Sequence, residues 1–129
     1  MSSEKYIFDF EKLLVYQKAL EFTNQVFEIT FSFRKEIQYS LGDQFRRAAL
    51  SICNNLAEGS RKSERARKQF YEYALDSARE CIPMIAIALK QTQINEMQES
   101  VLRGECLQIC KMIYGLIKSI STLSVTLNT

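Results

Sequence analysis

The chain has 129 residues, of which 47% are hydrophobic and 25% are charged, and this length predicts one domain, residues 1–129, that buries about two thirds of its unfolded surface. Only four glycines and one proline interrupt the chain, and histidine is absent, which favours long helices and excludes mixed Cys/His zinc sites and histidine-based catalysis. The formal net charge of +2 is far below that of a typical dedicated nucleic-acid-binding protein.

The four cysteines indicate the expected redox state of the thiols, and the apolar runs indicate the expected cellular compartment. The four cysteines form no CxxC pair, and they are Cys53, Cys81, Cys106 and Cys110. We interpret them as buried, reduced thiols, with a four-thiolate metal site as the alternative, and we predict no metal or cofactor. Reduced thiols suit the cytoplasm. Because no apolar stretch resembles a signal peptide or a membrane span, we expect a soluble, cytoplasmic protein without a membrane segment.

Two apolar stripes run along the first predicted helix, residues 10–31, on roughly opposite faces. The stripe that we assign to the core consists of Leu13, Tyr16, Leu20, Thr23 and Phe27. The other stripe consists of Val15, Ala19, Phe22, Val26 and Ile29. Because one bundle core cannot bury opposite faces, we predict that this second stripe is an oligomer interface. The alternative is that wide helical faces contact two neighbours inside one bundle.

The second predicted helix begins near Gly42 and ends at Gly59, with Ser40 or Asp43 able to cap its first turn. Its buried face is centred on Ile52 and also contains Leu41, Phe45, Ala48, Ala49 and Leu56. A separate polar stripe consists of Arg47, Ser51, Asn54 and Glu58. We expect Gly59 to end the helix in the left-handed conformation.

Glu58 is unusual because it lies in the last turn of this helix, where a carboxylate gains nothing from the helix dipole. Another group must therefore hold it. One interpretation is that Glu58 accepts hydrogen bonds from amides at the start of the next helix, or from a nearby arginine, and so fixes the turn. The other is that it belongs to a ligand site.

A third helix is predicted from Ser63, as its N-cap, to about Thr92, with a kink where Pro83 removes a backbone hydrogen bond. Its second apolar line, also a candidate partner surface, consists of Tyr71, Leu75, Ala78, Ile82 and Leu89. The fourth helix, residues 96–127, has a regular seam of Leu102, Cys106, Ile109, Ile113, Leu116, Ile120, Leu123 and Leu127. Four amphipathic helices with short connections predict an all-α, antiparallel up-down-up-down four-helix bundle.

The segments FEKLLVYQKAL (10–20), LGDQFRRAALSICNNLAEGSRKS (41–63) and FYEYALDSARE (70–80) resemble the four-helix bundle proteins encoded in intervening sequences of bacterial 23S ribosomal RNA genes. The bundle proteins that accompany the reverse transcriptases of diversity-generating retroelements are similar in architecture. The most specific part of the resemblance combines QxRRAAxSI, NxAEG and a later Ser-x-x-Glu. It implies a structural role for Gln44, Ser51, Asn55, Glu58, Gly59, Ser77 and Glu80.

This resemblance also implies a functional class. It implies a homo-oligomer, which is a pentameric ring in known structures of the family, and it implies no enzyme activity. It further implies binding to structured RNA or DNA, or to a polymerase-like protein partner. The residue composition also argues against a catalytic metal site, because bundle di-metal sites need Glu-x-x-His motifs and this chain has no histidine. We therefore predict no catalytic residues.

A basic cluster follows the second helix, where RKSERARK (61–68) contains five bases and one acid. Bases at a helix N-terminus oppose the helix dipole, which favours an anionic partner over a purely structural role. The candidate nucleic-acid-binding residues are Arg46, Arg47, Arg61, Lys62, Arg65, Arg67 and Lys68. Two alternatives stay open: the bases are ordinary solvated surface, or the protein is an interaction scaffold without direct nucleic-acid contact.

Overall fold

Four long helices make up the structure, a computed structural model that describes residues 5–127 and the side chains of residues 5–120. The helices are α1 (Leu14–Phe31), α2 (Asp43–Ser60), α3 (Glu64–Lys90) and α4 (Glu96–Leu127). No strand occurs in the described residues. Each helix packs against the next, and α1 also packs against α4, which closes the cycle. The predicted all-α, antiparallel up-down-up-down four-helix bundle is confirmed.

The core contains the stripe of α1 that we predicted as an oligomer interface, together with Thr23 of the stripe that we assigned to the core. Ala19, Phe22 and Val26 are fully inaccessible, whereas Leu20 is 51% exposed. The stripe predicted as an oligomer interface, Val15, Ala19, Phe22, Val26 and Ile29, is therefore buried or half-buried inside the bundle. That interface prediction is wrong.

The neighbours of α1 explain this outcome. Thr23 donates a hydrogen bond to the carbonyl of Ala49 in α2 at 3.1 Å, and Gln25 donates to the Glu105 carboxylate in α4 at 3.3 Å. At about 100° per residue, Phe22 lies between these two directions and faces the centre of the bundle, while Leu20 points away. The wide apolar surface of α1 thus covers two neighbouring helices, as the alternative interpretation proposed.

The start of α1 differs slightly from the prediction, because Leu13 interrupts the helical conformation. A 3₁₀ turn spans Asp9–Lys12, and Leu13 adopts an extended conformation with ψ 125° before the α-helix begins. The Phe8 amide donates to the Glu11 carboxylate at 2.8 Å, which holds this turn. The ring of Phe10 then packs on Tyr16 with centroids 4.9 Å apart. The residues before α1 therefore pack back onto its first turns and also contact α2.

The connection from α1 to α2 is helical rather than capped. After a short helical piece, Lys35–Ile37, a π-helical turn, Gln38–Gly42, runs directly into α2. The predicted caps are wrong: the Ser40 hydroxyl donates to the Ile37 carbonyl, and the Asp43 carboxylate accepts from Arg46. No side-chain cap is required because the π turn already supplies acceptors to the first amides of α2.

The second apolar line of α3 is used inside the bundle. Tyr71, Leu75 and Ala78 of the second line are buried, so it is not a free partner surface as we had considered. Pro83 lies within the continuous helix, and the predicted kink stays a prediction. The helix ends at Lys90, before Thr92 adopts a left-handed φ of 57°.

α4 has the predicted bounds, and its seam is buried at Leu102, Cys106, Ile109 and Ile113. Leu116 and Ile120 are half-buried, and Leu123 and Leu127 lie outside the described side chains. The Cys106 thiol donates to the Ala78 carbonyl at 3.0 Å. No described helix is long and apolar enough to cross a membrane.

The cysteines are all free thiols, and Cys53, Cys81 and Cys106 are buried. Burial raises the pKa of Cys53, and the hydrogen bond that Cys53 shares with Thr23 opposes this rise. A thiol with a raised pKa is mostly protonated at neutral pH, and the protonated form is a poor nucleophile. Cys53 is therefore a packing residue in the structure.

Candidate functional site

The seven candidate nucleic-acid-binding residues all lie on the α2/α3 hairpin, but the structure divides them among three places. Arg46 is at the α1 end of α2, the cluster from Arg61 to Lys68 surrounds the turn, and Arg47 faces a groove between the two helices. Arg47 precedes the end of α2 by thirteen residues, which is about 20 Å along the helix. The seven basic residues therefore do not form one patch.

Arg46 is a structural residue, and its assignment to nucleic-acid binding is wrong. Its side chain is 11% exposed. Its guanidinium donates to the side-chain and main-chain oxygens of Gln38 at 3.0 and 3.1 Å and to Asp43 at 2.8 Å. It also lies 5.4 Å from the ring centroid of Phe31. These contacts satisfy a buried charge and tie the π turn to both α1 and α2.

Glu58 belongs to the turn, where its partners are a nearby arginine, as one of our interpretations expected, and a lysine. Its carboxylate lies 3.1 Å from Lys62 Nζ and 3.8 Å from Arg61 Nε, and the side chain is 41% exposed. The hydrogen bond from Lys62 lowers the pKa of Glu58, and the charge of Arg61 adds to this effect. The pair therefore stabilises the turn at neutral pH and is lost as the pH falls through the lowered pKa.

The basic residues of the turn differ in their contacts and in their solvent exposure. Lys62 also lies 5.7 Å from the ring centroid of Phe70. Arg67 donates to the Lys62 carbonyl at 3.1 Å and is half-buried. Arg61, Arg65 and Lys68 are exposed. Two of the predicted nucleic-acid-binding residues thus help to build the turn, and three project from it into solvent.

Gly59 serves close packing rather than helix termination. It lies inside α2, it is buried, and no described glycine has a positive φ, so the left-handed assignment is wrong. A Cβ atom on Gly59 would lie 2.9 Å from Tyr71 Cε1 and 3.0 Å from Phe70 Cβ. Only glycine lets α3 approach α2 this closely, because its missing side chain leaves room for the Tyr71 ring.

A polar network joins the three parts of the family motif. The Ser77 hydroxyl of α3 donates to Ser51 Oγ of α2 at 2.8 Å. Asn55 Nδ2 donates to the same Ser51 Oγ at 3.0 Å and to the Ser51 carbonyl at 2.8 Å. Ser77 is 8% exposed, so this network is an internal contact between the helices. Ser51, Asn55 and Ser77 can therefore occupy the contact between α2 and α3, where apolar side chains are more common, because they bond to one another.

A polar groove of about 390 Å³ lies directly over this network. Its walls contain Gln44, Arg47, Ala48, Ser51, Ser77, Glu80 and Met84. We name it the Arg47/Glu80 groove after its two charged residues. Our sequence reasoning placed Arg47 in a polar stripe and Glu80 in the family motif, but it did not bring them together. Residues 44, 47 and 51 and residues 77, 80 and 84 follow helical steps of three and four, a signal that could have indicated two facing stripes.

The side chains of the groove suit a polar ligand. No group of three or more His, Cys, Asp or Glu side chains in the described part of the chain is arranged to hold a metal ion. The groove instead offers a guanidinium, a carboxylate, an amide and hydroxyls. These groups bind polar ligands through hydrogen bonds and charge.

Comparisons with known proteins agree with this architecture. A crystal structure of a protein of unknown function from the S23 ribosomal protein family, from Bacteroides thetaiotaomicron, is similar with a TM-score of 0.75 and 21% sequence identity, covering 81% of this chain and 96% of the other. The sequence has no significant match among curated proteins. A family model described as 23S rRNA-intervening sequence protein matches residues 11–115. The chain therefore belongs to the 23S rRNA-intervening sequence protein family.

Proposed function

We propose that this protein is a non-enzymatic, self-associating bundle that binds the phosphate backbone of structured RNA or DNA at the α2/α3 turn. The observation that supports the proposal is the exposure of Arg61, Arg65 and Lys68 around the turn. Within residues 5–120, neither Arg65 nor Lys68 forms an ion pair, and Arg61 is 3.8 Å from Glu58. Such cations neutralise phosphates and release counterions without reading sequence.

Self-association would raise the affinity of this small basic patch for nucleic acid, because a ring repeats the same cations around an axis. The outer side of α1 is the surface that we assign to it. Leu20 and Phe31 are 51% and 67% exposed, and with Phe27 they line an apolar groove of about 450 Å³. A second copy is the occupant that we infer, because a pentamer is the assembly that the family resemblance implies.

Light scattering coupled to size exclusion tests this assembly. The wild-type mass should be several times the 15.0 kDa of one chain, and Leu20→Glu should reduce it because a charge at the contact must be desolvated. Val101→Glu is the matched control, since Val101 is similarly exposed on α4 and should leave the mass unchanged. A monomeric wild type at micromolar concentration would contradict self-association.

The salt dependence of binding tests the phosphate contacts. The logarithm of affinity for an RNA hairpin should fall linearly with the logarithm of salt concentration, and the double variant Arg65→Gln/Lys68→Gln should flatten that slope by about two per bound subunit. Lys111→Gln/Lys118→Gln is the control, because both lysines are exposed on α4. If the double variant binds with the wild-type slope, these residues do not contact phosphate.

The second candidate function is a protein-interaction scaffold, and the apolar outer side of α1 favours it. In this case the groove at Leu20, Phe27 and Phe31 would hold a polymerase-like protein instead of a second copy. Protein purified without nuclease separates the two functions. A raised ratio of absorbance at 260 nm to that at 280 nm supports nucleic-acid binding, and a ratio typical of pure protein supports the scaffold.

A further inference from the structure

We propose that the Arg47/Glu80 groove binds one unpaired ribonucleotide of the nucleic acid, with Arg47 at its phosphate and Glu80 at its sugar hydroxyls. The proposal rests on the nucleic-acid binding proposed above and adds a site to it. It concerns the groove between α2 and α3, which is separate from the exposed cations of the turn.

The first argument is that opposite charges line this groove without pairing. Arg47 on α2 and Glu80 on α3 are both exposed. In the described part of the chain, neither forms a hydrogen bond or an ion pair through its side chain, with the other or with a third residue. A ligand that bridges the two must present an anion to Arg47 and a donor to Glu80. A nucleotide does so through its phosphate and its sugar hydroxyls.

The second argument is the state of the hydroxyl groups in the groove. Ser51 Oγ accepts hydrogen bonds from both Ser77 and Asn55. Its own proton meets no hydrogen-bond acceptor among the described residues and can be donated to a ligand oxygen. The network also fixes the Ser51 and Ser77 side chains in advance, so a ligand does not have to order them.

The third argument is the volume of the groove and the chemistry of its walls. A volume of about 390 Å³ falls in the range of about 300–1,000 Å³ typical of small-ligand sites. Met84, which is half-buried in the wall of the groove, supplies apolar surface for a base. A carboxylate that accepts from a ribose 2′-hydroxyl is a recurrent way of recognising ribonucleotides. Glu80 would repel a second phosphate placed nearby, which favours an unpaired nucleotide over a duplex backbone.

The position of the groove agrees with the cations of the turn. Arg65 and Glu80 are separated by fifteen residues of α3, so they lie within about 60° of each other around the helix. A nucleic acid held at Arg65 can therefore extend along the same side of the hairpin to the groove. An RNA hairpin would place its stem on the cations and an unpaired loop nucleotide over Glu80.

The test uses the full chain and two fluorescent RNA hairpins that differ only in the loop, which is ribose in one and 2′-deoxyribose in the other. The wild type should bind the ribose loop about tenfold more tightly, the size expected for one hydrogen bond to a charged acceptor. Glu80→Ala should reduce this ratio to about one. Asp76→Ala, a neighbouring exposed acid on α3 outside the groove, should keep the tenfold ratio. Arg47→Ala should weaken binding of both hairpins.

Equal affinity of the wild type for the two loops, or a Glu80→Ala variant that retains the preference, would overturn the assignment of the groove. If binding in either case still depends on salt through Arg65 and Lys68, the phosphate contacts stand and only the ribonucleotide site is lost. Absence of binding to both hairpins would overturn the two proposals together. Circular dichroism of each variant checks that the bundle is folded.

Discussion

Replacing Phe22 with alanine is expected to lower the free energy of unfolding by about 3–5 kcal/mol. The ring is fully inaccessible and belongs to the continuous core of the bundle. Truncation removes its apolar contacts and leaves a cavity that four packed helices cannot fully close. Urea unfolding followed by circular dichroism at 222 nm measures the change.

Leu14→Ala is the matched control for this prediction. Leu14 lies on the same helix and is 59% exposed, so its truncation should change the free energy of unfolding by no more than about 0.5 kcal/mol. Similar losses for the two variants would mean that the stripe containing Phe22 is not the core of the monomer. The comparison thus tests whether the face of α1 that contains Phe22 is buried in the folded monomer.

Replacing Gly59 with alanine is expected to destabilise the protein, by about 1–3 kcal/mol from overpacking less a gain in helix propensity of up to about 1 kcal/mol. The new methyl group would lie 2.9 Å from the ring of Tyr71 and 3.0 Å from Phe70 Cβ. Tyr71 is only 4% exposed, so its ring cannot swing into solvent to relieve the contact. Thermal unfolding should show a lower midpoint.

Gly104→Ala is the control with the opposite sign. Gly104 lies within α4, and a Cβ atom there would meet nothing within 4 Å. Alanine should therefore stabilise the protein by about 0.5–1 kcal/mol through backbone entropy alone. If both variants raise the midpoint, close approach of α2 and α3 is not the reason for glycine at position 59.

The number, type and order of the helices follow from local sequence patterns. The seam of α4 alternates steps of three and four without interruption, and the observed helix, Glu96–Leu127, has the predicted bounds. The buried face of α2 is likewise centred on Ile52, which is fully buried with Phe45 and Leu56. Helix periodicity and the scarcity of glycine and proline act within one segment, so no knowledge of the partner helices was required.

The Ser51/Ser77 network and the Arg47/Glu80 groove could be predicted from the sequence only in part. The motif residues Ser51 and Ser77 are recognisable in the sequence, but their 2.8 Å hydrogen bond depends on the register of α3 against α2. The same register brings Arg47 and Glu80 to one groove. Register is set by packing between helices, and it includes the close contact at Gly59, which a single-helix pattern does not specify.

By itself the sequence determined that the protein is a bundle of four amphipathic helices and which family it resembles. Only the tertiary structure decided which face of α1 is core, and which of two adjacent arginines is structural. Arg46 is buried against Gln38 and Asp43 while Arg47 is exposed, although the two residues are chemically identical. Neighbouring residues on a helix point about 100° apart, so the position of the surrounding helices gives one a set of buried acceptors and leaves the other in solvent.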